Sequence, residues 1–239
     1  MNILTIDTAT PIEIIAIGDD KSTKQAITPL SCSHSITLFD NIQKCLNDSG
    51  LTIKDVDLIG VGTGPGSFTG IRIAVSTARM LAQLLNKPLV GVKTTLIYAV
   101  SASCAQGDNI LIAFDAKKKR VFGAVYQQNR ESIPTEIVPP GDYSMEHLCD
   151  RCVPGRNTVA IGDGVGRYYD IVAEKITSLD FRTNFIPEGK AATSLVLKIY
   201  NSNPELYRDF RKTVPFYARK SDAEIALAAK KTSVKEGEK

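Results

Sequence analysis

Residues 62–70 are Gly62-Thr63-Gly64-Pro65-Gly66-Ser67-Phe68-Thr69-Gly70. This glycine-rich loop follows an apolar run at 57–61 and precedes a segment of helical periodicity at 71–85. The order predicts a strand, a tight loop and a helix. Glycines let one backbone approach another closely, and the free N–H groups at a helix start attract anions. The loop therefore suits either close chain packing or phosphate binding.

Two phosphate-binding motifs of defined spacing do not fit this loop. A P-loop places a Lys and a hydroxyl residue directly after its last glycine, whereas Ser67 and Phe68 follow Gly66. The dinucleotide-binding pattern that starts at Gly64 requires a third glycine at position 69, where this chain has Thr69. We therefore favour structural packing over phosphate binding, and the sequence leaves both open.

The helix predicted at 71–85 has an unusually wide apolar face. On a helical wheel, about 220° of its circumference is apolar. The remaining polar stripe is narrow and consists of Arg72, Ser76, Arg79 and Gln83. Such a helix lies in a large interior or between its own core and a second surface, and Ala74, Ala78 and Ala82 permit close helix packing.

A second helix is predicted before the loop, at about 35–47. Its apolar stripe is of ordinary width and consists of Leu38, Phe39, Ile42, Cys45 and Leu46. Two interpretations of the helix pair stay open. Both helices pack only against the core, or at least one of them also forms part of a protein interface.

Composition sets limits on the class of protein. The chain has 239 residues, 43% of them hydrophobic, which allows one large domain or two modest ones. The formal charge of +3 is nearly balanced and neither demands nor excludes nucleic acid. Residues 1–7 lack the features of a signal peptide, and no apolar run reaches the length of a membrane span. We expect a cytoplasmic protein without membrane association.

The five cysteines are an odd number without the dense spacing of a disulfide scaffold, which favours a reducing compartment. Cys149 and Cys152, with His147 just before them, could supply three metal ligands. A structural zinc site needs a fourth ligand, and the sequence has no matching second pair. We therefore expect two free thiols and no metal site.

The strand pattern predicts two related halves. Residues 2–6 and 13–17 form a predicted hairpin, and residues 109–114 and 121–126 form another. In each case the first strand ends in an aspartate, Asp7 or Asp115. This weak repeat predicts two lobes of mixed α/β type with a boundary near residues 107–108.

Several motifs together resemble the TsaB (YeaZ) family over residues 1–220. The glycine-rich loop continuing into Ile71-Arg72 is the most specific of them, although the related TsaD family carries a similar loop. The others are Ile6-Asp7-Thr8-Ala9-Thr10, His34 before the first helix, Asp115-Ala116, Ile161-Gly162-Asp163-Gly164 and Pro215-Phe216-Tyr217-Ala218-Arg219.

The resemblance implies a two-lobed α/β fold of the actin-like ATPase (ribonuclease H-like) type. It also implies a role in tRNA modification. TsaB-type proteins are the non-catalytic partners of TsaD, which places a threonylcarbamoyl group on the adenosine next to the anticodon (position 37) of tRNAs that read codons beginning with A. The implied partners are TsaD and the ATPase TsaE, with a homodimer when the chain is alone and tRNA reached through the complex. No cofactor is implied for this chain itself, because the complex handles ATP.

Under this resemblance, residues 1–106 form an N-terminal lobe with the partner-binding helices, 107–217 a C-terminal lobe, and 218–239 a C-terminal helix and a solvated tail. The interface residues carried over to the two helices are Leu38, Ile42, Cys45, Ile71, Val75, Ala78 and Ala82.

Several departures from catalytic relatives predict that this chain has no catalytic residues. TsaD carries a second His four residues after the first, where this chain has Leu38 after His34. Side chains replace glycine in both hairpin turns, at Thr8-Ala9 and Ala116-Lys117. Four residues stay candidates for a remnant nucleotide site: Asp7, Asp115, Gly162 and Gly164. Either aspartate could equally close its own turn.

Two other classes of function remain as alternatives. The first is an ATP-dependent small-molecule kinase or ATPase of the same superfamily. The second is a metallopeptidase, against which the missing second His counts directly. Lys117, Lys118 and Lys119 could contact tRNA phosphates, but a short charge run in a hairpin turn is more often simply solvated.

Overall fold

The computed structural model describes residues 1–19, 22–29, 34–130 and 133–220. Its first half contains a five-stranded sheet of order β3-β2-β1-β4-β5. Strands β1 to β3 form an antiparallel meander, and β4 and β5 extend β1 in parallel. The strands are β1 Ile3–Asp7, β2 Ile12–Gly18, β3 Thr23–Pro29, β4 Leu58–Gly62 and β5 Leu89–Val92. The predicted first hairpin is confirmed by the pairing of β1 with β2.

Two helices cover one face of this sheet. They are α1, His34–Asp48, and α2, Phe68–Leu85. The Ser67 side chain caps α2 by accepting a hydrogen bond from the Gly70 amide at 3.3 Å, and Asn86 ends it in the left-handed conformation with φ of 51°. Apolar residues of both helices and of β1, β2 and β4 form one core.

The second half repeats this topology in a sheet of order β8-β7-β6-β9-β10. Its strands are β6 Asn109–Asp115, β7 Val121–Gln127, β8 Thr135–Tyr143, β9 Thr158–Ile161 and β10 Leu179–Arg182. Again three strands form an antiparallel meander and two extend the first strand in parallel. The predicted internal repeat is therefore present, and the two sheets with their helices form the predicted two-lobed α/β fold.

The remaining α-helices of the described residues fill the space between and behind the two sheets. They are α3 Thr94–Ser101, α4 Met145–Cys149, α5 Asp163–Arg167, α6 Tyr169–Lys175 and α7 Gly189–Ser202. Residues of both sheets join residues of α3 and α7 in a central core that connects the lobes. A separate core lies on the outer face of the second sheet, under α4 and α6.

The structure corrects the lobe boundaries expected from chain order. Helix α7 lies within 107–217 but packs against the first sheet, where a Cβ on Gly60 would overlap Val196 and one on Gly189 would approach Ala16. By its packing α7 belongs to the N-terminal lobe. Residues 218–220 have no helical structure, and the predicted C-terminal helix and tail at 221–239 lie outside the described residues.

Candidate partner surface and interlobe cleft

The glycine-rich loop packs against the β1–β2 turn. The Ser67 amide donates to the Ala9 carbonyl at 2.7 Å, and the Thr8 hydroxyl donates to the Gly70 carbonyl at 2.7 Å. A side chain on Gly66 would overlap the Ala9 carbonyl, and one on Gly70 would overlap the Thr8 carbonyl. Glycine is therefore required here for the close approach of two backbones.

Other amides of the loop are also engaged within the chain. The Gly64 amide donates to the Thr94 hydroxyl at 3.1 Å, and the Gly70 amide donates to the Ser67 hydroxyl. A phosphate cradle needs such N–H groups to be free and directed at a ligand. Of the two interpretations left open by the sequence, structural packing describes the observed loop.

The seven residues predicted as the partner interface are buried in the chain's own core, each at most 5% exposed. This corrects the prediction, because these side chains face the first sheet and not solvent. They are Leu38, Ile42, Cys45, Ile71, Val75, Ala78 and Ala82. A helical wheel gives the width of the apolar arc but not the part of it that the sheet covers.

The part of the arc that the sheet leaves uncovered lies along one side of α2. Leu84 is 73% exposed and Met80 42% exposed, and Ile73 on the same side is partly buried. On the neighbouring helix α1, Phe39 is 52% exposed. We call Phe39, Ile73, Met80 and Leu84 the outer helix face. Sequence reasoning missed the α2 residues of this face. The signal was present, because these residues lie at the edge of the apolar arc, next to the polar stripe, and an arc too wide for one core leaves its edge uncovered.

A polar side chain anchors α1 to the first sheet. Glu13 of β2 is 1% exposed, and its carboxylate accepts hydrogen bonds from the Asn41 side chain at 2.6 Å and the Thr37 hydroxyl at 3.2 Å. A buried carboxylate that accepts hydrogen bonds from α1 resists displacement, because losing a hydrogen bond to a buried charged group costs free energy. The orientation of α1, and with it the position of Phe39, is thereby fixed.

The candidate remnant nucleotide residues do not converge on one site. Asp7 is 1% exposed and its Oδ1 accepts a hydrogen bond from the Ala9 amide at 2.8 Å. Gly164 is buried against the Ala113 carbonyl. Asp115 and Gly162 do line the cleft between the lobes, in two adjoining cavities that share Asp163.

Asp115 is held by its own turn and by two cations. Its carboxylate accepts from the Lys117 amide at 2.9 Å and pairs with Lys117 Nζ at 2.6 Å and Arg167 Nη1 at 3.5 Å. Burial raises the pKa of Asp115, but the hydrogen bonds and charge of Lys117, helped by Arg167, outweigh it and hold the pKa below its ordinary value. Both hairpin aspartates thus close their turns.

Two cavities occupy the interlobe cleft. The first, of about 550 Å³, is mainly apolar and is lined by Pro11, Ile12, Tyr98, Phe114, Phe181 and Phe185 among others. Two of its lining residues are buried and polar, and the Tyr98 hydroxyl lies 2.9 Å from the Thr10 hydroxyl. The second, of about 510 Å³, lies between the loop at Gly66 and Ser67 and the second hairpin turn.

The segment at 213–219 crosses this cleft. On the first lobe, the Phe216 amide donates to the Thr63 carbonyl at 2.8 Å and the Tyr217 ring stacks on Phe68 at 4.6 Å. On the second lobe, the Arg219 guanidinium donates to the Ala116 carbonyl at 3.0 Å. We call residues 213–219 the interlobe strap. Its Pro215 to Arg219 motif was noted in the sequence, but its contacts were not predicted.

The cysteine and histidine candidates form no metal centre. Cys149 and Cys152 are buried free thiols, and the His147 ring stacks on Tyr143. Burial raises the pKa of Cys149 to about 11 and that of Cys152 to about 12. Among the described residues, no group of three His, Cys, Asp or Glu side chains is placed to hold a metal ion.

No described helix has the length and apolar character needed to cross a membrane.

A structural neighbour and a family model define the class of protein to which this chain belongs. The YeaZ structure from Pseudomonas aeruginosa superimposes with a TM-score of 0.76 at 24% identity, over 90% of this chain and 99% of that one. The sequence model of the family described as "TsaD: tRNA N6-adenosine threonylcarbamoyltransferase" matches residues 24–227. The chain is therefore a two-lobed protein of the TsaD-related class.

Two relatives identify the family within this class. The tRNA threonylcarbamoyladenosine biosynthesis protein TsaB of Buchnera aphidicola subsp. Acyrthosiphon pisum is 30% identical over 84% of this chain and 91% of that protein. TsaB of Escherichia coli is 34% identical over 56% of this chain, a match that spans only 58% of the E. coli protein. The chain belongs to the TsaB family.

Proposed function

We propose that this chain is a non-catalytic partner that activates a TsaD-type protein in threonylcarbamoylation of the adenosine at position 37 of tRNAs reading codons that begin with A. The names of its relatives, tRNA threonylcarbamoyladenosine biosynthesis proteins, support the pathway. The proposed partners are a TsaD-type protein and TsaE, with self-association when the chain is alone. We place the reaction in the cytoplasm.

The observation that carries the partner role is the outer helix face. Large exposed apolar side chains that cluster on one side of a helix, as on α2, are typical of a protein interface, because a partner that covers them removes their apolar surface from water. Leu84 and Met80 lie one helical turn apart on the same side of α2. A helix from a partner packed along this side would remove both from water.

The geometry of the cleft supports a role without catalysis. The glycine-rich loop uses its amides for packing, and both hairpin aspartates are engaged in their own turns. These are the positions at which catalytic members of a nucleotide-binding fold would contact phosphates or their metal ion. We therefore propose that the partner, and not this chain, handles ATP, and that tRNA reaches the site through the complex.

An ATP-dependent kinase or ATPase remains the second candidate, because the apolar cavity of about 550 Å³ in the cleft has the size of a small-molecule site. Turnover of ATP by the purified chain alone would favour it. A metallopeptidase is less well supported, since the described residues offer no cluster of metal ligands.

The decisive experiment reconstitutes tRNA threonylcarbamoylation with a TsaD-type protein, TsaE and the threonylcarbamoyl-adenylate synthase, with and without this chain. We expect modified tRNA only when the chain is present. A Leu84→Arg variant tests the outer helix face, and Ile137→Arg is its matched control because Ile137 is 39% exposed on β8 of the other lobe. Equal product without the chain would refute the proposal and direct attention to ATP turnover by the chain itself.

A further inference from the structure

Basic side chains are concentrated at one mouth of the interlobe cleft. Four of them follow one another in the β6–β7 turn, one lies on α5, and two are the last residue of the interlobe strap and the residue after it. We call this set the basic rim: Lys117, Lys118, Lys119, Arg120, Arg167, Arg219 and Lys220. With the acids Asp115, Asp142 and Asp163 among them, the rim carries four more cations than anions, whereas the whole chain carries three more.

Contacts within the rim bring its separate segments together. Lys117 and Arg167 both reach the Asp115 carboxylate, at 2.6 and 3.5 Å. Arg219 donates to the Ala116 carbonyl, and its guanidinium lies 3.9 Å from Asp142, which also pairs with Arg120 at 2.9 Å. Lys117, Arg219 and Lys220 line the same cavity. The rim is therefore one continuous surface and not a scatter of separate charges.

The turn that holds the lysines has a costly backbone. Lys117, Lys118 and Lys119 have φ values of 60°, 53° and 59°. This left-handed region favours Gly, Asn or Asp, and other residues there cost about 1 to 2 kcal/mol each. The three lysines are exposed, and the Lys117 side chain is 74% accessible. Strained backbone of this kind occurs preferentially at functional sites.

Aromatic side chains lie beside the cations. Phe68, Phe122 and Tyr217 line the cavity at the rim together with Lys117 and Arg219. The Arg219 guanidinium lies 5.6 Å from the Phe122 ring centre, and the Phe68 and Tyr217 rings stack on each other. A groove with cations along its edge and aromatic rings inside it is the usual arrangement for binding exposed nucleotides of RNA.

We propose that the basic rim binds the phosphate backbone of the tRNA substrate directly. This inference rests on the proposed function, which makes tRNA the substrate of the assembled complex. It goes further by giving this chain its own RNA contact, led by Lys118 and Lys119 at the tip of the turn. Cations on a protein surface hold successive phosphates and fix the position of the RNA without reading its sequence.

The spread of the charges favours a polyanion over a single nucleotide. A site for a single nucleotide directs backbone amides and cations at one phosphate group. Here the Lys117 amide donates to the Asp115 carboxylate and the Arg120 amide donates to the Lys117 carbonyl, so neither amide is directed at a ligand. The rim instead presents cations from the turn, from α5 and from the interlobe strap. Successive phosphates of RNA, which follow one another along a strand, match this arrangement.

The test compares two variants that each lose two cations from the second lobe. Lys118→Ala/Lys119→Ala removes the tip of the rim. Arg151→Ala/Arg156→Ala is the matched control, because both arginines are exposed in the loop at the opposite end of β6, where Arg156 lies beside Gly107. The two sites are about 20 Å apart along the strand. Unmodified tRNA binding is measured by fluorescence anisotropy between 0.05 and 0.3 M salt, about the range in which phosphate contacts are screened.

With the full chain in the reconstituted complex, we expect the rim variant to bind tRNA about tenfold more weakly at 0.1 M salt, while the control binds as the unsubstituted chain. The slope of log K against log salt should fall by about 1.5 to 2 for the rim variant only. In the modification assay, KM for tRNA should rise with little change in kcat. If both variants unfold at the same temperature as the unsubstituted chain, a folding defect is excluded.

Three outcomes would overturn the inference while leaving the proposed function in place. The first is equal tRNA binding by the two variants. The second is displacement of tRNA by ATP at the ATP concentrations that the complex itself binds. The third is loss of partner binding by the rim variant without a change in tRNA affinity. The proposed function fails separately, if modification of tRNA does not require the chain at all.

Discussion

Thr8 and Gly70 hold the first hairpin turn against the start of α2. The Thr8 hydroxyl donates to the Gly70 carbonyl at 2.7 Å, and the Thr8 carbonyl occupies the space of a side chain on Gly70. The two residues are 62 positions apart in the chain. Their contact fixes α2, and hence the outer helix face, relative to the first sheet.

Gly70→Ala should therefore destabilise the protein by about 2 to 3 kcal/mol, since its methyl group meets backbone that cannot rotate away. Gly166→Ala is the control, because a Cβ there meets only the Phe181 ring at an ordinary 3.5 Å. Urea unfolding of both variants measures the difference. Equal stability of the two would show that the loop and the β1–β2 turn can separate without cost.

Substitution of the outer helix face should weaken association without unfolding the chain. Leu84→Arg or Met80→Arg removes an exposed apolar contact, so we expect a loss of about 2 kcal/mol in partner affinity, or roughly 30-fold. Stability should change by no more than about 0.5 kcal/mol. Analytical ultracentrifugation of the chain alone and titration with a TsaD-type partner measure both associations.

Ala78→Arg should behave differently, although it lies on the same helix. Ala78 is 0% exposed, so an arginine there places a charge in the core and should prevent stable folding. Its thermal unfolding is the measurement. A folded Ala78→Arg protein with impaired partner binding would instead restore the buried residues as the interface.

The interlobe strap should open when its aromatic contact is removed. In Tyr217→Ala the stacking on Phe68 and the hydrogen bond from Arg72 Nε at 2.9 Å are both lost. We expect faster hydrogen exchange at the Phe216 amide, which bonds to the Thr63 carbonyl, with an opening free energy lower by about 1 to 2 kcal/mol. Tyr169→Ala, which removes a comparably exposed tyrosine beside Phe181, should leave that amide unchanged.

The buried thiols should make the protein less stable at alkaline pH. Burial raises the pKa of Cys149 to about 11, from an ordinary value near 9.0. The protonated form is favoured in the folded state, so this stabilisation is complete below pH 9 and is lost as the pH rises towards 11. At about 1.4 kcal/mol per pK unit, the loss approaches 3 kcal/mol.

Urea unfolding between pH 8 and 10.5 tests this expectation. Cys149→Ala should be less stable at pH 8, because it loses buried contacts, but its free energy of unfolding should fall less steeply as the pH rises. Parallel curves for the variant and the unsubstituted chain would assign the alkaline loss to other groups. The cysteine should also react slowly with iodoacetamide at pH 8, since little thiolate is present.

Much of the fold followed from local pattern. The two hairpins whose first strands end in Asp7 and Asp115 were predicted from β-rich runs of residues, and their repetition predicted two lobes. Strands β3, β8 and β10 were not predicted. β8 contains Pro139 and Pro140, which indicate a loop in the sequence. In the structure β8 lies at an edge of its sheet, where a residue without an N–H group is tolerated because one side of the strand has no neighbouring strand to hydrogen-bond.

The sequence by itself determined the strand–loop–helix unit at 57–85, the wide apolar arc of α2 and the resemblance to the TsaB family. These depend on residue spacing, which the chain carries directly. Only the tertiary structure decided which part of the arc is covered, that α7 returns to the first sheet, and that Lys117, Arg167 and Arg219 meet at one rim. The physical reason is that burial and charge clustering depend on contacts between residues far apart in the chain, and local periodicity holds no information about them.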